Sequence, residues 1–212
     1  MVGKIQEVRM LPKLSSRRTF LSREALSLMG IPIMYQGLSW KDYRFPNEQM
    51  EHLLRGYTTH CDEMLRDCVG LLFIGQNGCG KSFVSSIILQ YCYSYYHTCR
   101  MTTFKDLISK AFGKDESYNE FLGAEFLVID ELGAEVSLKS DAEKSLLEDI
   151  LKQRFTKGYP TIICSNLDTV QLKERYGNTF YSMLSEFVKV KLLGEDGRKQ
   201  AFRNKKALEF LK

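Results

Sequence analysis

Leu71-Leu72-Phe73-Ile74-Gly75-Gln76-Asn77-Gly78-Cys79-Gly80-Lys81-Ser82 is the stretch that decides how this chain folds. A short apolar run ends at Gly75, and after four intervening positions comes Gly80-Lys81-Ser82. This is the G-x-x-x-x-G-K-[ST] pattern of a phosphate-binding loop, set between a strand-like and a helix-like run as that motif requires. Each residue type has a chemical reason. Glycines admit positive φ and let backbone N–H groups approach an anion. The helix that opens near Gly80 turns its positive end toward the same point. Lys81 is a mobile cation for the β- and γ-phosphates, and the Ser82 hydroxyl is suited to a magnesium ion. The candidate nucleotide contacts are therefore Gly75, Asn77, Gly78, Cys79, Gly80, Lys81, Ser82 and Phe83.

Outward from this loop, the chain alternates strands with helices. Phe83, Val84, Ile87, Ile88, Tyr91 and Tyr95 recur at helical spacing over a wide face, as expected beneath a sheet. Cys99–Thr103 reads as a second strand. Phe104, Leu107, Ile108, Ala111 and Phe112 then mark an amphipathic helix stopped by Gly113. Phe126-Leu127-Val128-Ile129 is apolar at every position, the mark of a central parallel strand buried on both faces, and it ends in Asp130-Glu131. Beyond a phosphate loop, Asp130 belongs with Ser82 in the magnesium shell, and Glu131 can take a proton from an attacking water. Ser140-Asp141-Ala142-Glu143 forms a capping box that opens a helix with Ala142, Leu146, Leu147, Ile150, Leu151 and Phe155 on one face. Thr161–Ser165 is a further buried strand followed by Asn166, placed to bond the attacking water or the γ-phosphate. Asp168 with Gln171 caps a helix broken at Gly177, and Phe180–Phe187 leads into a last strand, Val188–Leu193. Such alternation predicts a parallel sheet with helices on both faces and a ligand at the carboxyl ends of the strands.

Before the loop the signals are weaker. Ser22–Met29 reads as a short helix, with Leu26 and Met29 as its stripe, ended by Gly30. It is too small to hold a core, so residues 1–30 are expected to be a docking arm or a flap, and 31–212 the main domain. Pro32, Gly37 and Pro46 forbid a long helix, and Tyr35, Trp40, Tyr43 and Phe45 are expected to cluster on the main domain. Residues 49–66 look like one helix burying Met50, Leu53, Leu54, Tyr57 and Met64.

The 212 residues, 44% hydrophobic and 26% charged, suit one core-forming domain. The longest apolar runs are too short to span a bilayer, and the basic N-terminal stretch has no signal-peptide core, so a cytoplasmic protein is expected. The net charge of +4 is mild, with basic residues gathered at 17–23 and 198–206. Both clusters fit solvated tails or contacts to a phosphate backbone. The six cysteines form no C-x-x-C pair, and reduced thiols are expected. His60 beside Cys61 is the nearest approach to a metal cluster in the sequence.

Gly30-Ile31-Pro32, the phosphate loop, Thr102-Thr103-Phe104-Lys105-Asp106-Leu107, Leu127–Gly133, Pro160–Asn166 and Gly194-Glu195-Asp196-Gly197-Arg198 occur in an order that resembles the DnaC-like replicative helicase loaders and the related IstB transposition ATPases, both of the AAA+ class. The resemblance implies an AAA+ P-loop NTPase: a five-stranded parallel sheet with helices on both faces and a short N-terminal extension. It implies an ATPase using ATP and Mg2+, with Lys81, Glu131, Asn166 (first sensor) and Arg198 (second sensor) as catalytic residues. It also implies self-assembly on single-stranded DNA and, for a loader, a DnaB-type hexameric helicase as partner. An IstB-like transposition helper and an ATP-binding adaptor with little turnover are the alternatives. Loaders carry arginines after the first sensor that reach a neighbour's ATP. Here that stretch reads Gly177-Asn178-Thr179 and Ser182-Met183-Leu184, with Arg175 the nearest arginine. An arginine finger is worth a factor on the order of a thousand or more, so slow isolated hydrolysis is expected.

Overall fold

Alternate side chains of the three central strands enter two separate cores, and that division organises the molecule. Residues 21–134 and 141–193 are described by the computed structural model. Leu71 and Phe73 of β1 (Leu71–Ile74) join one cluster, with Val84, Ile87 and Ile88 of α4 (Lys81–Ser94), whereas Leu72 joins the other. Met101 of β2 (Cys99–Thr103) lies on the α4 side. In β3 (Phe126–Leu132), Phe126 and Val128 face α4, while Leu127 and Ile129 meet Phe104 and Leu107 of α5 (Phe104–Phe112) on the far side. That far core is completed by α6 (Tyr118–Gly123) and by Leu147, Ile150 and Leu151 of α7 (Asp141–Lys157). β4 (Thr161–Ser165), α8 (Thr169–Tyr176), α9 (Asn178–Met183) and β5 (Val188–Lys191) follow. All five strands are parallel, in the order β2-β3-β4-β1-β5. β1 lies between β4 and β5, and a sheet buried on both faces is covered by helices on both, as expected from runs apolar at every position.

The segment before β1 packs on the α4 face. Ser22 accepts the Ala25 N–H at 3.1 Å and starts α1 (Arg23–Leu28). Leu26 and Met29 are buried in the α4-side core, and the Met29 carbonyl accepts the Met101 N–H at 2.7 Å, so this piece lies along the open edge of β2. Gly30 has φ +80°, and a Cβ there would run into the Met101 carbonyl. Residues 21–30 therefore pack on the main domain; residues 1–20 lie outside the described residues. Trp40 is buried, donates its indole N–H to Thr58 at 3.1 Å, and anchors the expected aromatic cluster with Tyr43, Phe45 and Tyr91.

Several local expectations are corrected. The predicted helix over 49–66 is two helices, α2 (Glu48–Thr59) and α3 (Cys61–Arg66). At the junction, Thr58, Thr59 and His60 all turn their side chains back onto carbonyls of Leu54, Arg55 and Gly56, competing with helix propagation. Thr58 and Cys61 are buried where Leu53 was expected to be, and Leu53 is exposed. Phe112 and Ala142 are also exposed, because each lies in a terminal turn past the edge of the core. The α6 helix was not anticipated: six residues with no side-chain cap are too few to show a period. The proposed cap Ser140 lies outside the described residues, whereas the Asp168–Gln171 capping box is present.

Arg154 is the deepest surprise. It is 1% exposed on α7, and it donates to the carbonyls of Phe121, Leu122, Ala124, Glu125 and Pro160 and to the Thr161 hydroxyl at 2.7–3.4 Å. These acceptors are the end of α6 and the entries to β3 and β4, so one guanidinium bonds carbonyls that lie at element ends, where the regular ladders run out. Burial lowers its pKa to about 10, which leaves it charged at neutral pH. Arg154→Met should therefore lose more than about 3 kcal/mol of stability, since it strands several buried acceptors at once. Urea denaturation checks this; a loss below about 1 kcal/mol would contradict it.

Candidate functional site

The loop after β1 is built by two different uses of glycine. Gly78 and Gly80 have φ +84° and +96°, the left-handed region that glycine enters without strain. Gly75 does not; a Cβ there would strike the Leu192 carbonyl and lie 2.7 Å from Cys79 Sγ. Gly75 is therefore required for close approach to the chain leaving β5. Gly80 also N-caps α4, and no side chain bonds the helix's first N–H groups. Those groups and the helix dipole point at the cleft outside the loop.

Lys81 is 8% exposed and folds back, its Nζ donating to the carbonyls of Gly75 at 2.6 Å and Gln76 at 2.9 Å. Cys79 turns behind the loop, 3.8 Å from the same Nζ. Phe83 packs edge-on against Tyr35 at 6.0 Å. Gly75, Cys79 and Phe83 thus support the loop from behind and do not line the cleft.

Facing the loop is the end of β3. Between Ile129 and Leu132 the register to β4 slips, a bulge that holds one extra residue. Glu131 occupies it with φ +57°, a conformation that costs a non-glycine residue about 1–2 kcal/mol. The twist turns the Glu131 side chain out to the cleft and returns Leu132 to the core. Its N–H donates to Asp130 Oδ1 at 2.8 Å, pinning the neighbouring carboxylate. Beneath, the buried Cys164 thiol lies 3.0 Å from the Ser85 hydroxyl; burial first, and the Asp130 charge second, hold that thiol well above its usual pKa. Ser165 ties the strand ends together. Its hydroxyl donates to Leu132 O at 2.7 Å and accepts the Leu167 N–H at 3.1 Å, while its carbonyl accepts the Gly75 N–H at 3.2 Å. Asn166 is presented directly after it.

The result is a cleft of about 150 Å³ that gathers most of the predicted residues: Asn77, Gly78, Gly80, Lys81 and Ser82 on the loop, and Asp130, Glu131 and Asn166 opposite. Tyr35 and Ala134 also line it. Tyr35 was read as a member of the aromatic cluster, and nothing in its spacing marks it as a wall of the site. Ser82 and Asp130 offer a hydroxyl and a carboxylate to the same space, the hard oxygen donors that suit magnesium. Arg198 lies outside the described residues, and the Arg175 guanidinium stands over the Tyr176 ring on α8, 6.0 Å from its centroid.

No protein-family model and no curated protein matches the sequence. Solved structures do share its architecture. The crystal structure of the DnaC helicase loader aligns with a TM-score of 0.66 at 21% identity, covering 76% of this chain and 100% of that one. The fold is that of the AAA+ P-loop NTPases. The DnaI structure aligns at 0.64 and 16% identity over 78% of this chain and 93% of that one. AMPPCP-bound DnaA from Aquifex aeolicus aligns at 0.64 and 12% identity over 85% of this chain, but only 57% of DnaA. The five-stranded sheet with helices on both faces is as expected, and the loop and the β3 bulge face each other across its carboxyl edge.

The bulge gives a test independent of chemistry. Glu131→Gly should raise stability by about 1 kcal/mol, whereas Glu131→Val, branched at Cβ, should lower it by about 1–2 kcal/mol. Thermal unfolding of both variants checks the pair; a loss in the glycine variant would mean the bulge is not strained.

Proposed function

We propose that this chain is an ATP-dependent helicase loader of the DnaC type, delivering a hexameric replicative helicase onto single-stranded DNA. The observation that carries the reading is the meeting of Lys81, Ser82, Asp130, Glu131 and Asn166 in one cleft on an AAA+ sheet. The likeness to the DnaC loader over that structure's whole length supports it.

In this reading the phosphates of ATP seat on the N–H groups of the loop and of the first turn of α4. Lys81 leaves the Gly75 and Gln76 carbonyls to meet the β- and γ-phosphates. Ser82 and Asp130 would hold magnesium, which neutralises charge building on the transferred phosphoryl group. Glu131, turned outward by its bulge, accepts the proton of the attacking water, and Asn166 orients that water against the γ-phosphate. Arg198 is proposed as the second sensor. No arginine occupies 177–184, so turnover by the isolated chain is slow and rises when a partner completes the site. Assembly on single-stranded DNA and docking to the helicase, with the N-terminal residues as an arm, belong to the same proposal.

Lys81→Ala should abolish ATP binding. Glu131→Gln should bind ATP as tightly as the parent and lose hydrolysis at least a hundredfold, read by fluorescent-nucleotide titration and single-turnover assay. Hydrolysis that survives Glu131→Gln would remove the base from the mechanism, and none in the parent with DNA and helicase present would favour the adaptor. Co-purification with a DnaB-type helicase should occur in ATP and fall in Lys81→Ala. Capture of a transposase instead would replace the loader reading with the transposition helper.

A further inference from the structure

At the opposite end of the sheet from the phosphate loop, three segments that are distant in sequence bring a thiol, an imidazole and two carboxylates together. Cys61 and Asp62 open α3 just after the break at His60, and His97 sits in the connection from α4 to β2. Glu125 immediately precedes β3. One ligand atom from each of Cys61, Asp62 and His97 lies within 4.8 Å of the other two. His97 is 8% exposed, yet its Nε2 makes no hydrogen bond among the described residues. It stands 3.0 Å from Asp62 Oδ1, off the direction of an N–H bond. A buried ring nitrogen left without a hydrogen bond, close to a carboxylate and a thiol, is costly unless something else occupies the space between them.

We propose that Cys61 Sγ, Asp62 Oδ1 and His97 Nε2 bind a zinc-class transition-metal ion. One sulfur, one imidazole nitrogen and one carboxylate oxygen form a donor set that suits zinc and disfavours magnesium or calcium, which take oxygen alone. Donors about 2.0–2.3 Å from one ion stand roughly 3.3–3.8 Å apart, so closure by about 1 Å converts the present spacing into coordination. Cys61 enters as a thiolate and releases its proton to solvent.

The surroundings fit the same purpose. Glu125 Oε2 lies 3.5 Å from His97 Nδ1, on the ring's other side, and is itself anchored by the Thr98 N–H at 2.7 Å. That is the carboxylate–histidine–metal relay which orients a ligating imidazole. The Phe126 ring packs edge-on against His97 at 5.2 Å and holds the imidazole plane. Asp62 is partly exposed and gives the ion a way in. The adjacent His60, the nearest histidine in sequence, instead bonds the Gly56 carbonyl at 3.0 Å and takes no part.

The site's role is to fasten the fold. It would join α3, the end of α4 and the entries to β2 and β3. Because α4 runs from Lys81 to Ser94, the ion would hold the far end of the helix whose first turn faces the phosphates, about 20 Å away.

The full-length chain, stripped with chelator and dialysed into excess magnesium, should be titrated with cobalt(II). Expected are one ion per chain, tetrahedral visible bands, a thiolate-to-cobalt charge-transfer band, and displacement by zinc. Cys61→Ser should abolish the charge-transfer band. His97→Gln should weaken binding more than a hundredfold, and Glu125→Gln about 10–100-fold. Cys68→Ser should change nothing. Sub-stoichiometric uptake, uptake without the thiolate band, or a band that survives Cys61→Ser overturns the proposal. Should a variant fail to fold, X-ray absorption of the zinc-loaded parent decides: a first shell of one sulfur and one imidazole with oxygen supports the site, and a sulfur-free shell refutes it.

Discussion

The structure turns on the backbone groups left over where a parallel sheet stops. At the carboxyl edge each strand leaves the ladder, and its next carbonyl and N–H need partners that the neighbouring strand no longer offers. Ser165 supplies several of these at once, linking the ends of β1 and β3 to the turn after β4. Gly75 completes the arrangement by approaching the Leu192 carbonyl so closely that no side chain fits. The phosphate loop, the β3 bulge and Asn166 are held in register by these few bonds. Displacing any one of them separates the two walls of the cleft.

The opposite edge solves the same problem with a charge. Arg154 collects the carbonyls at the entries to β3 and β4 and at the end of α6, and all its partners are neutral. The two rims thus differ in kind. One is fastened by a hydroxyl and close backbone contacts, leaving room for a ligand; at the other a guanidinium fills the space between the entries to β3 and β4.

Much of this was legible in the residues. Strands apolar at every position announced a sheet covered on both faces, and the loop, Asp130, Glu131 and Asn166 fell at strand ends as the topology required. What escaped was set by tertiary contact. Arg154 falls on the same helix face as Leu147, Ile150 and Leu151, but its charge argues for solvent, and only the carbonyls around it explain its burial. Tyr35 reaches the cleft because Gly37 and Gln90 fold its segment onto α4, with the Gly37 N–H donating to Gln90 at 2.8 Å. The break at His60 depends on three side chains turning back in succession, a competition that hydrophobic spacing does not register. Cys61 and His97 are far apart in sequence and meet only because α3 and the α4–β2 connection share one end of the sheet.

The folded-back lysine has a consequence of its own. With Nζ held by the Gly75 and Gln76 carbonyls, the loop contains a cation at its centre and is organised around it. An incoming anion must therefore outcompete two existing bonds before it gains a new one. A short or singly charged species that touches only the outer N–H groups leaves those bonds intact and gains little. A polyanion long enough to reach the lysine gains both the outer contacts and the released cation. In the proposed reading, the loop would thus answer to the depth and charge of its ligand rather than to anions in general.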